Sequence, residues 1–117
     1  MPQLTNLMTR FLCGHTDVVP VNPEGWREDP FGGEVIDGEI WGRGALDMKG
    51  QVACEVAAAC ALGRSGWRPA HGELLVIVTA DEEAGAEHGA QWLCREHPDK
   101  VRCDFMVNEG AGEVMHF

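Results

Sequence analysis

At 117 residues the chain is at most one domain, long enough to bury a modest core and short for an enzyme with a deep cleft. Its 44% hydrophobic and 24% charged residues are the composition of a soluble globular protein. Nine Lys and Arg against 19 Asp and Glu give a formal net charge of -10, which argues against nucleic acid as a partner because phosphate binding needs a basic face.

In chain order, Leu4 to Cys13 reads as an extended, mostly buried segment that ends at Gly14-His15-Thr16-Asp17. The stretch from Pro20 to Pro30 is rich in Pro, Gly and Glu and is expected to be an irregular surface excursion. Residues 34–41 place Asp37-Gly38 between two short apolar-containing runs, the strongest short hairpin signal a sequence offers. Then comes Trp41-Gly42-Arg43-Gly44-Ala45-Leu46-Asp47-Met48-Lys49-Gly50, a glycine-studded loop with one carboxylate at its centre. Glycines at 42, 44 and 50 allow close approach of other groups, which a plain surface loop would not need so often.

Downstream, Met48 to Leu62 is alanine-rich with frequent apolar residues and is expected to be a largely buried helix. Gly63 to Gly72 breaks that pattern. Glu73 to Ala80 has the continuous β-branched apolar character of a strand covered on both faces, as in parallel sheets, and it stops at Asp81-Glu82-Glu83. A second helix is expected from about Ala86 to Glu96, ended by Pro98. Cys103 to Val107 is a short strand that terminates at Asn108-Glu109-Gly110. The alternation of strands and helices implies an α/β fold with a mostly parallel sheet flanked by helices. Ligands of such sheets bind outside the carboxyl ends of the strands, where three runs here end in His15 and Asp17, in Glu82 and Glu83, and in Glu109.

The five cysteines, Cys13, Cys54, Cys60, Cys94 and Cys103, are odd in number and form no CxxC pair. Neither a disulfide framework nor a structural zinc site is indicated, so a reducing cytoplasm is the expected location. The longest apolar run, Leu74 to Val78, is far too short to span a membrane, and no membrane partner is expected.

Each acidic or imidazole group has a plain reading beside a chemical one. Residues two apart on an extended chain share a side, so Asp17 can accept from one nitrogen of His15 while the other faces a metal; a simple loop turn explains the same spacing. Glu82 and Glu83 leave an extended backbone on opposite sides, so one can ligate a cation while its neighbour takes a proton from a bound water. Which of the two is the base stays open, and a charged strand-to-helix turn is the alternative. Three consecutive acids at a strand end repel unless a cation holds them. Oxygen and nitrogen donors without a thiolate cluster point to zinc, manganese or cobalt. His71, His88, His97 and His116 stand in turn or helix-surface contexts and are expected to be structural or solvated. No serine-hydrolase elbow, phosphate loop or dinucleotide fingerprint is present.

The ordered motifs His15 to Pro20, Gly42 to Gly50, Asp81 to Gly85 and Asn108 to Gly110 resemble those of the co-catalytic zinc amidohydrolases and metallopeptidases. That family includes acetylornithine deacetylase, succinyl-diaminopimelate desuccinylase, aminoacylase and glutamate carboxypeptidase. The resemblance implies a zinc-peptidase-like catalytic domain. It also implies that His15 ligates a first metal, Asp17 orients His15, Asp47 bridges two zinc ions, Glu82 is the general base, Glu83 ligates the second metal and Glu109 completes the first. Co²⁺ or Mn²⁺ are the alternative ions. The implied reaction is hydrolysis of an amide, either an N-acyl amino acid or a C-terminal peptide bond, with a small-molecule or peptide substrate and a homodimer for a full-length form.

Family members are several times longer, with a second, smaller domain and a distal histidine that ligates the second metal. Residues 1–117 are therefore expected to be a partial catalytic domain without the lid or dimerisation domain. His116 is too close to Glu109 to be the missing histidine. The segment Asn6 to Arg10 runs straight into Phe11-Leu12-Cys13 without the turn that relatives have there. One zinc is expected to bind appreciably, a second weakly, and turnover to be low. The alternative is a non-catalytic metal-binding or interaction remnant of the same scaffold.

Overall fold

The computed structural model describes residues 8–109. The expectations for residues 4–7, Gly110 and His116 concern positions outside them. Strand β1 runs Thr9–His15, a 3-10 turn covers Pro23–Gly25, and β2 (Glu34–Ile36) and β3 (Glu39–Trp41) form the expected hairpin. Helix α1 spans Lys49–Arg64, β4 Glu73–Thr79, α2 Ala90–Glu96, α3 Pro98–Val101 and β5 Phe105–Val107. Among the described residues no helix is long and apolar enough to cross a membrane.

The main sheet has the order β4-β1-β5 with all pairs parallel. Thr9 pairs with Glu73 and His15 with Thr79, while Leu12 pairs with Val107. In-register parallel pairing puts the carboxyl ends of three strands side by side, so the residues that follow them share one edge of the molecule. The fold class inferred from the order of elements is the one observed.

The hairpin closes through Asp37 (φ 54°) and Gly38 (φ 86°), the two positive φ values that a two-residue turn matched to strand twist requires. It pairs Ile36 with Glu39 and Val35 with Ile40. The excursion before it is irregular as expected, and two arginines tie it to the loop: Arg27 lies 4.2 Å from the Trp41 ring centroid and Arg43 lies 5.3 Å from that of Trp26.

Burial departs from expectation in two places. Helix α1 is mostly exposed rather than largely buried: its first turns present Val52 and the buried Glu55 to the sheet, while Ala53, Cys54, Ala57 and Ala58 face solvent. The sheet is a single narrow layer, so it covers one stripe of a helix that is apolar nearly all round. Among the described residues strand β4 is likewise not covered on both faces; it is an edge strand there, and Val78 is 42% exposed. The tightly packed centre is small, with Phe11, Met48 and His15 each 1% exposed. There α1 approaches β1 over Gly14, where an added Cβ would lie 2.7 Å from Val52 Cγ2 and 2.9 Å from Met48 Cε.

The second helix also starts later than expected. Residues 82–89 form turns, with Asp81 at φ 67° and Ala86 at φ 61°, and α2 begins only at Ala90. Asp81 Oδ2 accepts from the His88 amide at 3.0 Å, which fixes this turn as a separate structure. Pro98 ends α2 as expected and then serves as the first residue of α3.

Candidate metal centre

His15 is the last residue of β1 and is buried. Its Nδ1 lies 3.0 Å from the backbone oxygen of Asp17 and 3.4 Å from Asp17 Oδ1. A proton on Nδ1 is donated to that carbonyl, which turns Nε2 toward the acids of the other strands. Nε2 lies 3.2 Å from Glu109 Oε1, 3.3 Å from Asp47 Oδ1 and 3.8 Å from Glu82 Oε2. Contributions from the ends of three parallel strands and from the loop before α1 thus meet at one ring nitrogen.

Asp17 has a second contact that spacing alone did not suggest. Its Oδ2 accepts from the Glu83 amide at 3.0 Å, so it pins the turn carrying both glutamates to the end of β1. Among the described residues nothing donates a hydrogen bond to its buried Oδ1. Because Glu82 and Glu83 occupy that turn rather than extended strand, the alternation argument does not describe them. The turn nonetheless sends them to different neighbours: ligand atoms of His15, Glu82 and Glu109 lie within 4.8 Å of one another, and so do those of His15, Asp47 and Glu83. His15 is common to the two groups.

The loop that delivers Asp47 is held by its own backbone. Ala45 donates to Gly42 at 3.1 Å and Lys49 to Gly44 at 2.8 Å. Gly44 has φ 83°, and a Cβ there would lie 2.7 Å from Val18 Cγ1, so this position requires glycine on both counts. The Asp47–Met48 peptide bond is cis.

The site's charge balance shows in its protonation. Burial pulls the His15 imidazolium down, but the Asp17 carbonyl and the charges of Glu109, Glu82 and Asp17 outweigh it and hold its pKa above 6.5. Asp17 is opposed by burial as well, yet the amides of Glu83 and Glu82 hold its carboxyl below the usual range. Burial raises Glu109; His15 opposes that rise, and a hydrogen bond with Asp47 together with the charges of Asp47 and Glu82 reinforces it. The acids that crowd around Nε2 are therefore short of positive charge.

The acids open onto a cleft of about 700 Å³ whose lining includes Leu46, Asp47, Gln51, Glu82, Asn108 and Glu109. The sequence motifs include Asn108, beside Glu109, but not Gln51. Gln51 stands in the first turn of α1, four positions after Asp47, and Asn108 precedes Glu109 at the end of β5, so adjacency to the predicted acids was the available signal. His71, His88 and His97 enter neither of the two groups above; the His97 ring packs edge-on against Trp92 with centroids 4.8 Å apart.

The sequence profile of peptidase family M20/M25/M40 matches residues 11–116, nearly the whole chain. The chain belongs to this family. It is 41% identical over 114 residues to a succinyl-diaminopimelate desuccinylase of Rhodospirillum rubrum, covering 88% of the chain and 25% of that protein. A desuccinylase of the same name from Cereibacter sphaeroides is 47% identical over 110 residues, covering 87% of the chain and 28% of the relative. The crystal structure of human carnosine dipeptidase 1 superposes with a TM-score of 0.73 at 28% identity, covering 93% of this chain and 24% of that one. The chain thus spans about a quarter of the length of the relatives it matches.

Proposed function

We propose that this M20-family chain forms part of a metal-dependent hydrolase that cleaves an amide bond, with an N-acyl amino acid such as N-succinyl-diaminopimelate as the first substrate to test. The substrate follows from the names of the desuccinylase relatives. The observation that carries the reading is the convergence of Asp47, Glu82 and Glu109 on His15 Nε2, within 3.8 Å, at the carboxyl edge of the sheet.

One imidazole among carboxylates, with no thiolate, fits zinc, with cobalt or manganese as alternatives. His15, Asp47 and Glu109 would hold the first ion, and Asp47 and Glu83 would contribute to a second, with Asp47 shared. Bound there, the ions polarise the substrate carbonyl and make a water easier to deprotonate. Glu82 takes the proton of the attacking water and returns it to the leaving amine. Its carboxylate is half exposed and reaches into the cleft, which suits a group that must meet solvent and substrate. Asp17 works one step back, holding the His15 ring and the Glu83 amide. The first position counts three side chains and the second two, so the 117-residue chain by itself is expected to bind one zinc more tightly than a second and to turn over slowly. A companion domain and a homodimer belong to this proposal for the whole protein.

The test pairs metal content with hydrolysis. Glu82→Gln is expected to leave zinc stoichiometry unchanged by calorimetry and to abolish release of free amine from the acylated substrate. Two equally tight zinc sites, or full hydrolysis by the variant, contradicts the assignment. Zinc binding with no hydrolysis by either protein favours a metal-binding scaffold.

A further inference from the structure

The loop 42–50 walls a second cleft, of about 370 Å³, lined by Arg43, Ala45 and Lys49, whereas Leu46, Asp47 and Met48 face the acidic one. Its other walls are largely apolar, built from Pro30, Phe31, Ile40 and Trp41. Among the described residues Phe31 and Ile40 are 74% and 66% exposed.

Three features make this cleft positive in a chain that carries -10 overall. Arg43 and Lys49 line it, and among the described residues neither forms an ion pair with an acid. Among the described residues no acceptor meets the buried Arg43 Nε, a donor that folded proteins rarely leave unsatisfied, and the guanidinium lies 5.3 Å from the Trp26 ring centroid. The cleft also meets the first turn of α1, where the helix dipole is positive; that turn holds Lys49, no acid and no side-chain cap. A cation at the positive end of a helix is the unfavourable arrangement, and a bound anion relieves it.

We propose that this cleft is a binding site for a small amphipathic carboxylate, its anionic end on Arg43 and Lys49 and its apolar body between Phe31, Ile40 and Trp41. Arg43 would supply the directional donors and Lys49 a point charge. A bare inorganic anion would leave the apolar walls wet, and an uncharged apolar molecule would leave the cations unpaired, so the chemistry requires both halves. The proposal stands apart from the hydrolytic reading, since none of its residues belongs to the candidate metal centre.

Binding is read from tryptophan emission, because Trp41 lines the cleft and Trp26 stacks on Arg43. The chain is treated with chelator, so that no anion is captured by a metal ion, and titrated with phenylbutyrate, phenylbutanol or acetate. The expected result is a saturable change with a midpoint below about 1 mM for the carboxylate, and at least about fivefold weaker for the alcohol and for acetate. Lys49→Met is expected to weaken phenylbutyrate by at least about fivefold while leaving the alcohol unchanged. Arg43→Lys, which keeps the charge and loses the fork, is expected to weaken phenylbutyrate as well, and an unaffected Arg43→Lys protein overturns the role given to Arg43. A midpoint above about 1 mM for phenylbutyrate, a difference from the alcohol smaller than about fivefold, or an unaffected Lys49→Met protein overturns the proposal.

Discussion

Asp17 shows how one side chain can organise a site without reaching its cleft. Its carboxylate holds the Glu83 amide through Oδ2 and lies 3.4 Å from His15 Nδ1 through Oδ1, so loss of that charge disturbs two elements at once, while the backbone oxygen that accepts from His15 stays in place. Asp17→Asn is expected to lower zinc affinity by about 10–100-fold, measured by competition with a chromophoric chelator, with a smaller effect on the fold. His15 supplies a pH dependence with a definite sign. Its folded pKa lies above 6.5, so in chelator-treated protein its contribution to stability is complete below that value and is lost as pH rises through the folded pKa. Zinc competes with the proton, so zinc affinity should rise with pH across the same window. Melting temperatures of chelated and zinc-loaded protein should therefore diverge as pH is raised from about 6 to 8; parallel curves would contradict this account of Nε2.

At the scale of elements, the seat of α1 on β1 depends on Gly14. Any larger residue drives a methyl group into Val52 and Met48, and Met48 directly follows Asp47. Gly14→Val is expected to destabilise by about 1–3 kcal/mol in denaturant unfolding and to weaken metal binding by displacing the loop. The hairpin was legible because Asp37-Gly38 is a purely local signal that needs no partner. The start of α2 was not. Ala86 to Gly89 has helical composition, but Asp81 captures the His88 amide and the turn takes precedence, a competition decided by how the chain leaves β4. Burial of α1 was misjudged for a related reason. Alanine-rich periodicity says that a helix can be buried, whereas the number of surfaces offered to it is set by the sheet.

For the whole molecule, the acids near Nε2 repel one another, and an ion that binds the native arrangement and not the unfolded chain adds stability by mass action. Saturating zinc at about 100 times its Kd should stabilise by about 2.7 kcal/mol, seen as a raised melting temperature that a chelator reverses. Absence of any shift would mean that the acids do not act together.

What the sequence determined by itself was the order of strands and helices, the hairpin, and the places where His15, Asp47, the Glu82-Glu83 pair and Glu109 stand at the ends of runs. Those are local properties: periodicity, turn chemistry and residue type survive in one dimension. The resemblance to a zinc hydrolase family was likewise written in ordered motifs, and the family match spans them. The tertiary structure decided that β1 lies at the centre of the sheet, that Asp17 ties two strand ends together, and that Arg43 and Lys49 share a cleft behind the acidic loop. These depend on which distant segments pair, and hydrogen bonds between residues 66 positions apart, as for Asp17 and Glu83, leave no mark on local pattern.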